Sequence, residues 1–422
     1  MNTAPHRLKR LLHLLPAGMV LALLASPLHA ASLTLDQALS LAKQNSPLLQ
    51  AAKAGLEASQ AAARTASAYP NPELEIMGGQ IRPRQSQNGA ETTRIDTATL
   101  SQPLELPNVR AARKQVAAAG IGIGQSQYDQ TRLNLISQIR LAFFDAVRWE
   151  EASRVIGENR ELLQQMRDRV KLKVNVGEAP RYELIKAEAE TLAANNALKN
   201  AELRTRQAKT LLRSLIGAPL PDTLQLEHRE TTPTQPPSLA ELQQELLQNH
   251  PQLHLAQAQT EQALARVDYE RSQRLPQPTL KLNQERTRDS NQWMVGIALP
   301  LPLWNQRSGP IGEAVAGLHQ TEAQAQQTRL TLTAELEQAY SRYEIASSQV
   351  KTFETGLLQE AEAAMKVAEA AYRYGERSIL DYIDAQRVLR STQLEFLNAR
   401  YELQAALVEL ERLRAIPAGD PS

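Results

Sequence analysis

The chain has 422 residues, with 47 Lys+Arg against 46 Asp+Glu, no cysteine and only 4% aromatic residues. The near-neutral balance argues against a nucleic-acid partner, and the missing thiol excludes disulfides, thiolate metal sites and acylation through cysteine. So few aromatic side chains, with Ala, Gln, Glu, Leu and Arg abundant, point to long helices rather than two or three compact cores.

At the N-terminus, Arg7, Lys9 and Arg10 precede a largely apolar run from Leu11 to Leu24, and small residues follow up to Ala30. This is the layout of a cleavable secretory signal over residues 1–30, too short and too interrupted at Pro16 for a spanning helix. Its removal takes away three bases and no acid, leaving 44 against 46 and a formal charge of −2. Any membrane attachment is then expected from folded protein.

The remaining chain is one plan written twice. The first repeat covers 31–216, a linker holding five prolines covers 217–237, the second repeat covers 238–416, and 417–422 is a short tail. Thr34-Leu35-Asp36-Gln37 and Ser238-Leu239-Ala240-Glu241 both have the form of a capping box, and the helices they open stop at Asn45-Ser46-Pro47 and Asn249-His250-Pro251. A second helix in each half runs to a proline pair, Pro70-Asn71-Pro72 or Pro276-Gln277-Pro278. Two extended segments follow each pair, about 73–82 and 93–102 in the first half and about 279–286 and 292–299 in the second. There Trp293, Val295, Ile297 and Leu299 alternate with Met294, Gly296 and Ala298.

Helical hairpins come next, over about 108–216 and 306–416. No proline lies between Pro107 and Pro180, or between Pro310 and Pro417, and a helix from Asn108 to Val174 would reach about 100 Å. Gly177 and Gly375 mark the turns, where glycine supplies the left-handed residue that closes a helix. The returning strokes carry a 3–4 seam. In the first, positions 184, 187, 191, 194, 198, 201, 205, 208, 212 and 215 read Leu, Ala, Thr, Ala, Leu, Ala, Thr, Ala, Leu, Leu, and a matching seam runs from Tyr382 to Leu413. Such a seam is that of a coiled coil, with small residues allowing close approach.

Four short strands per chain cannot close a membrane barrel, which needs about eight and tolerates no open edge in lipid, so the chain must oligomerise. With the duplication, the Pro-x-Pro entry to the strands and the Gly-centred turns, the sequence resembles the outer membrane efflux proteins, the TolC family. Ser101-Gln102-Pro103-Leu104-Glu105-Leu106 followed by Arg110-Ala111-Ala112-Arg113 is similar to its CzcC-like heavy-metal branch. The resemblance implies a mainly α fold with a small β part: a homotrimer with a twelve-strand outer-membrane barrel on a periplasmic tunnel of helices. It also implies a periplasmic adaptor, an inner-membrane pump of the resistance-nodulation-division class, and export of cations such as cobalt, zinc, cadmium or copper.

The working residues of such a duct are expected at its periplasmic mouth. Asp381 and Asp384, three apart on one helix face, would form acidic rings in an oligomer that favour cations. The resemblance makes Tyr372, Arg377 and Glu183 the links that hold the mouth closed. The tips Val176, Gly177, Glu178, Tyr374, Gly375 and Glu376 are candidates for adaptor docking. Of the histidines beyond the signal, His228, His250, His254 and His319, only His250 and His254 have an i, i+4 spacing. With no cysteine and few methionines to complete a site, neither a resident metal nor a cofactor is expected. The alternatives are the same architecture serving drug efflux or type I protein secretion, and a soluble periplasmic adaptor, for which one hairpin between β-rich segments would be expected. An enzyme is not expected, because no nucleophile–base set or phosphate loop is present.

Overall fold

The computed structural model describes residues 32–81, 92–221, 224–227 and 235–415. The expected signal, the tail 417–422 and His228 lie outside the described residues. Both capping boxes form. The Thr34 hydroxyl accepts from the Gln37 amide at 3.3 Å while Gln37 Oε1 accepts from the Thr34 amide at 3.0 Å, opening α1 (Leu35–Asn45) just after β1 (Ser32–Leu33). Ser238 and Glu241 repeat the exchange for α5 (Leu239–Asn249). Each helix ends because a proline follows: Ser46 and His250 are extended, with ψ of 119° and 122°, as the ring of the next residue requires. Pro47 and Pro251 then begin α2 (Pro47–Ser67) and α6 (Pro251–Ser272), where a missing N–H costs nothing.

The first hairpin is α3 (Pro107–Asn175) and α4 (Arg181–Ile216). The 69 residues of α3 span about 100 Å. The second outward stroke is not one α-helix. It runs as α7 (Ser308–Thr352), a π-helical turn at Phe353–Leu357 and α8 (Leu358–Arg373), and it returns as α9 (Ile379–Arg414). Nearer the sheet, α3 packs against α2 and α6, and α6 packs against α7; beyond them α3 packs against α4 and α9, and α9 against α7 and α8. Shorter helices thus stack end to end along the long ones. The coiled-coil seams are where the sequence puts them, with Ala187, Thr191, Ala194, Ala201, Ala208 and Leu212 buried in α4. Small side chains let α4 lie so close to α3 that the Thr205 hydroxyl donates to Trp149 O at 3.0 Å.

The strands β2 (Glu73–Ile81), β3 (Thr93–Pro103), β5 (Thr279–Arg286) and β6 (Asn291–Ala298) form one antiparallel sheet in the order β2-β3-β5-β6. Register gives it two unlike faces. Leu74, Leu100, Leu282 and Val295 stand in one row across it, next to a row of Ile76, Ala98, Gln284 and Trp293. The opposite face carries Glu75, Thr99, Asn283 and Met294 in one row, with the Thr99 hydroxyl donating to Asn283 Oδ1 at 3.1 Å. Ile76 and Val295 are each 75% exposed, so the apolar face has no partner among the described residues. Both β2 and β6 are open edges.

At mid-length the expected linker is partly docked. Gln225–Leu226 forms β4, paired in parallel with β1, and the Lys209 ammonium donates to Leu224 O at 2.5 Å. Leu33 and Leu224 enter the same core as Phe143, Leu212 and Ile216. The segment between the halves therefore fastens the start of the first repeat to its last helix. A two-residue strand among prolines has no alternation to betray it.

Candidate functional site: the two hairpin turns

The two turns are built alike. In the first, the Glu178 amide donates to Lys173 O at 2.8 Å and the Gly177 amide to Val174 O at 3.2 Å; in the second, Glu376 donates to Ala371 O at 2.9 Å and Gly375 to Tyr372 O at 3.1 Å. Each is a Schellman closure, and it demands a left-handed residue, which the glycines supply with φ of 82° and 76°. Val176 and Tyr374 beside them are 70% and 80% exposed. Around the first turn Leu172, Tyr182 and Ile185 are exposed as well. Sequence reasoning missed these three; the signal available was that Tyr182 and Ile185 are apolar near the tip yet fall off the seam through Leu184 and Ala187.

Beneath the tips a small core of Leu163, Met166, Val170, Ile379, Tyr382 and Ile383 joins the two hairpins. Tyr372 belongs to its edge, stacked on Tyr382 with ring centroids 6.0 Å apart, and the Lys173 ammonium sits 5.1 Å from the Tyr372 ring centre. Burial raises the Tyr382 phenol above its ordinary pKa, so it is neutral at physiological pH.

Asp381 and Asp384 are both exposed on the first turns of α9. Their surroundings differ. Asp381 closes a capping box, accepting from the Ser378 amide and hydroxyl at 3.2 Å each, whereas Asp384 faces the Arg387 guanidinium at 3.4 Å. Arg387 also reaches Glu190 of α4 at 2.6 Å, and Lys186 stands 3.6 Å from the same carboxylate. Among the described residues, no ion pair joins Arg377 to Glu183 within the protomer; at this level the ion pair that crosses between the hairpins is Arg387–Glu190. It is long-armed because α4 and α9 lie on α3 without packing closely on each other.

The two histidines with helical spacing serve local structure. His250 is 1% exposed and caps α6, its Nδ1 accepting from the Gln252 amide at 3.2 Å. Burial first, then the Arg412 charge, pushes its pKa down to about 4, so it is neutral at pH 7. The His254 Nε2 lies 3.0 Å from Gln248 O. Among the described residues no cluster of three metal-ligating side chains forms, and no helix is long and apolar enough to cross a membrane.

Known proteins share this architecture. The family model described as "Outer membrane efflux protein" matches residues 38–218 and 242–415, the two repeats in turn. The chain is 26% identical over 387 residues to the cobalt-zinc-cadmium resistance protein CzcC of Cupriavidus metallidurans, covering 91% of this chain and 90% of that one. It is 23% identical over 420 residues to the pyoverdine export outer membrane protein OpmQ of Pseudomonas putida, covering 92% and 87%. Among solved structures, the CmeC outer membrane channel of Campylobacter jejuni superposes with a TM-score of 0.79 at 19% identity, over 90% of this chain and 85% of that one. A fold with a one-sided apolar sheet, two long hairpins and a repeat matched in both halves leaves one conclusion: the chain belongs to the outer membrane efflux protein family.

Proposed function

We propose that this chain is the outer-membrane exit duct of a tripartite efflux system, working as a homotrimer with a periplasmic adaptor and an inner-membrane pump of the resistance-nodulation-division class. The observation that carries the reading is the four-stranded sheet with one unpartnered apolar face and two open edges. Each unsatisfied backbone group in lipid costs several kcal/mol, so β2 of one copy pairs with β6 of the next. Three copies of four strands give twelve, enough for a spanning barrel. The opposite, polar face then lines the lumen, and α3 and its neighbours extend it as a tunnel into the periplasm. The duct itself carries no reaction and needs no cofactor.

Its cargo is heavy-metal cations such as cobalt, zinc, cadmium or copper, in keeping with the name of the CzcC relative and with Asp381 and Asp384 repeated around the mouth. Arg377, Glu183 and Tyr372 form gate links between neighbouring copies. The apolar tip around Val176, together with Gly177, Glu178, Tyr374, Gly375 and Glu376, is the surface that meets the adaptor. Expression with its cognate pump and adaptor in an efflux-deficient host tests the reading. Restored tolerance to one of these cations supports it. Restored export of an organic compound alone favours the second reading, an organic cargo through the same duct, which the OpmQ relative suggests.

A further inference from the structure

The two exits from the sheet differ. Between β3 and α3 lie only residues 104–106. There the Leu104 amide donates to Pro278 O at 2.8 Å, and Glu105, its side chain 6% exposed, holds Arg113 at 2.6 Å. Between β6 and α7 lie nine residues, 299–307, and these stand away from the protein. Leu301 and Leu303 are 65% and 66% exposed and Trp304 is 93% exposed. The foot of this loop is nevertheless fixed: Arg307 pairs with the buried Glu270, its amide donates to Asn305 Oδ1 at 2.9 Å, and Arg274 Nε donates to Gln306 O at 3.4 Å. The result is an apolar tip on a tethered base.

We infer that loop 299–307 is a membrane-interface anchor, seating Leu301, Leu303 and Trp304 among the headgroups and upper acyl chains of the periplasmic leaflet of the outer membrane. The inference rests on the reading of the sheet as the spanning part. Lipid is the occupant because the loop springs directly from the end of β6, whose Val295 and Ile297 are on the sheet's apolar face, and carries further exposed apolar side chains past the strand. Leu299, Leu301 and Leu303 follow at the same two-residue spacing in sequence, the chain turning where the Leu303 amide donates to Leu301 O at 2.9 Å, and all three are exposed. The loop also leaves the sheet at the end where the chain turns toward the tunnel helices, which is the periplasmic edge of the bilayer. An indole, apolar with one N–H, is suited to headgroup depth. Near the same level Tyr69 is exposed at the end of α2, with the Arg110 guanidinium 3.9 Å over its ring. Arg110 and Arg274 spend their hydrogen bonds there on neutral oxygens, leaving cationic charge near the lipid phosphates.

The chain has three tryptophans, which makes the test direct. Three full-length single-tryptophan proteins, each with the other two changed to Phe, are reconstituted into phosphatidylcholine–phosphatidylglycerol vesicles whose acyl chains carry bromine either near the headgroup or near the bilayer centre. Trp293, on the apolar face, should be quenched by lipid, and Trp149, in the tunnel, should not. Trp304 should be quenched roughly twofold or more better by the shallow bromine than by the deep one. Trp304 as unquenched as Trp149, while Trp293 is quenched, would overturn the anchor and leave a neighbouring copy or the lumen as what covers the loop. If Trp293 also escapes quenching, the spanning sheet itself fails and the anchor falls with it.

Discussion

The two halves of this chain share their order of elements and their helix stops and turns, yet they differ at the exits from the sheet and along the outward strokes. At the helix stops Ser46 and His250 do the same backbone work, but only His250 brings a titratable ring into a buried site. At the turns the two hydrogen bonds that close each helix around the glycine match, while only the second turn leads into a capping box. On the outward strokes α3 is unbroken, while its counterpart passes through a π-helical turn. A duplicated scaffold therefore preserves what the backbone demands, the caps, the prolines and the left-handed glycines. It diverges in a buried side chain at one helix stop, in the course of the outward stroke and in the length of the exit from the sheet.

If the halves are equivalent in their packing, matched core deletions should cost alike. Leu212 of α4 and Leu410 of α9, 198 positions apart, are both fully buried. Leu212→Ala and Leu410→Ala should each lower the stability of the detergent-purified protein by about 2–5 kcal/mol, read as a drop in melting temperature. A large loss from one and none from the other would break the equivalence.

The stops should then part company on acidification. The folded pKa of His250, about 4, lies below its ordinary 6.5, so the unfolded chain binds more protons between these values. The associated stability is complete above pH 6.5 and is lost as pH falls toward 4, by up to about 3 kcal/mol. His250→Asn, which keeps a cap acceptor, should flatten the melting temperature over that window, whereas Ser46→Asn should leave the slope as it is.

A smaller and again symmetric effect is expected at the turns. No atom lies within 4 Å of a Cβ placed on Gly177 or Gly375, so alanine there meets only backbone strain, about 1–2 kcal/mol per site. Equal melting shifts for Gly177→Ala and Gly375→Ala would show that both glycines serve the turn. A loss of adaptor pull-down beyond that shift would add docking to their role.

Much of this was legible from residues alone, and the reasons are physical. Capping boxes, prolines and a sustained seam act over one or two turns of chain, so Thr34, Ser238, Pro47, Pro251 and the run from Leu184 to Leu215 announce their structure locally. The π-helical turn did not, because one extra residue at Phe353–Leu357 leaves the apolar pattern on either side intact. β4 did not, because its partner is the distant β1. At the mouth, Ser378-x-x-Asp381 has the spacing of a capping box, and Asp381 accepts from the Ser378 amide and hydroxyl while its side chain stays exposed. Arg387–Glu190 joins residues 197 apart and could be found only in three dimensions.

For the sheet to span a bilayer, its two open edges, β2 and β6, must be closed by other copies of the chain. The most direct test is the native mass of the detergent-extracted protein together with the cell fraction that yields it. The account predicts three chains per particle, recovered from the outer membrane. A single chain per particle, or recovery from the soluble periplasm, would contradict it.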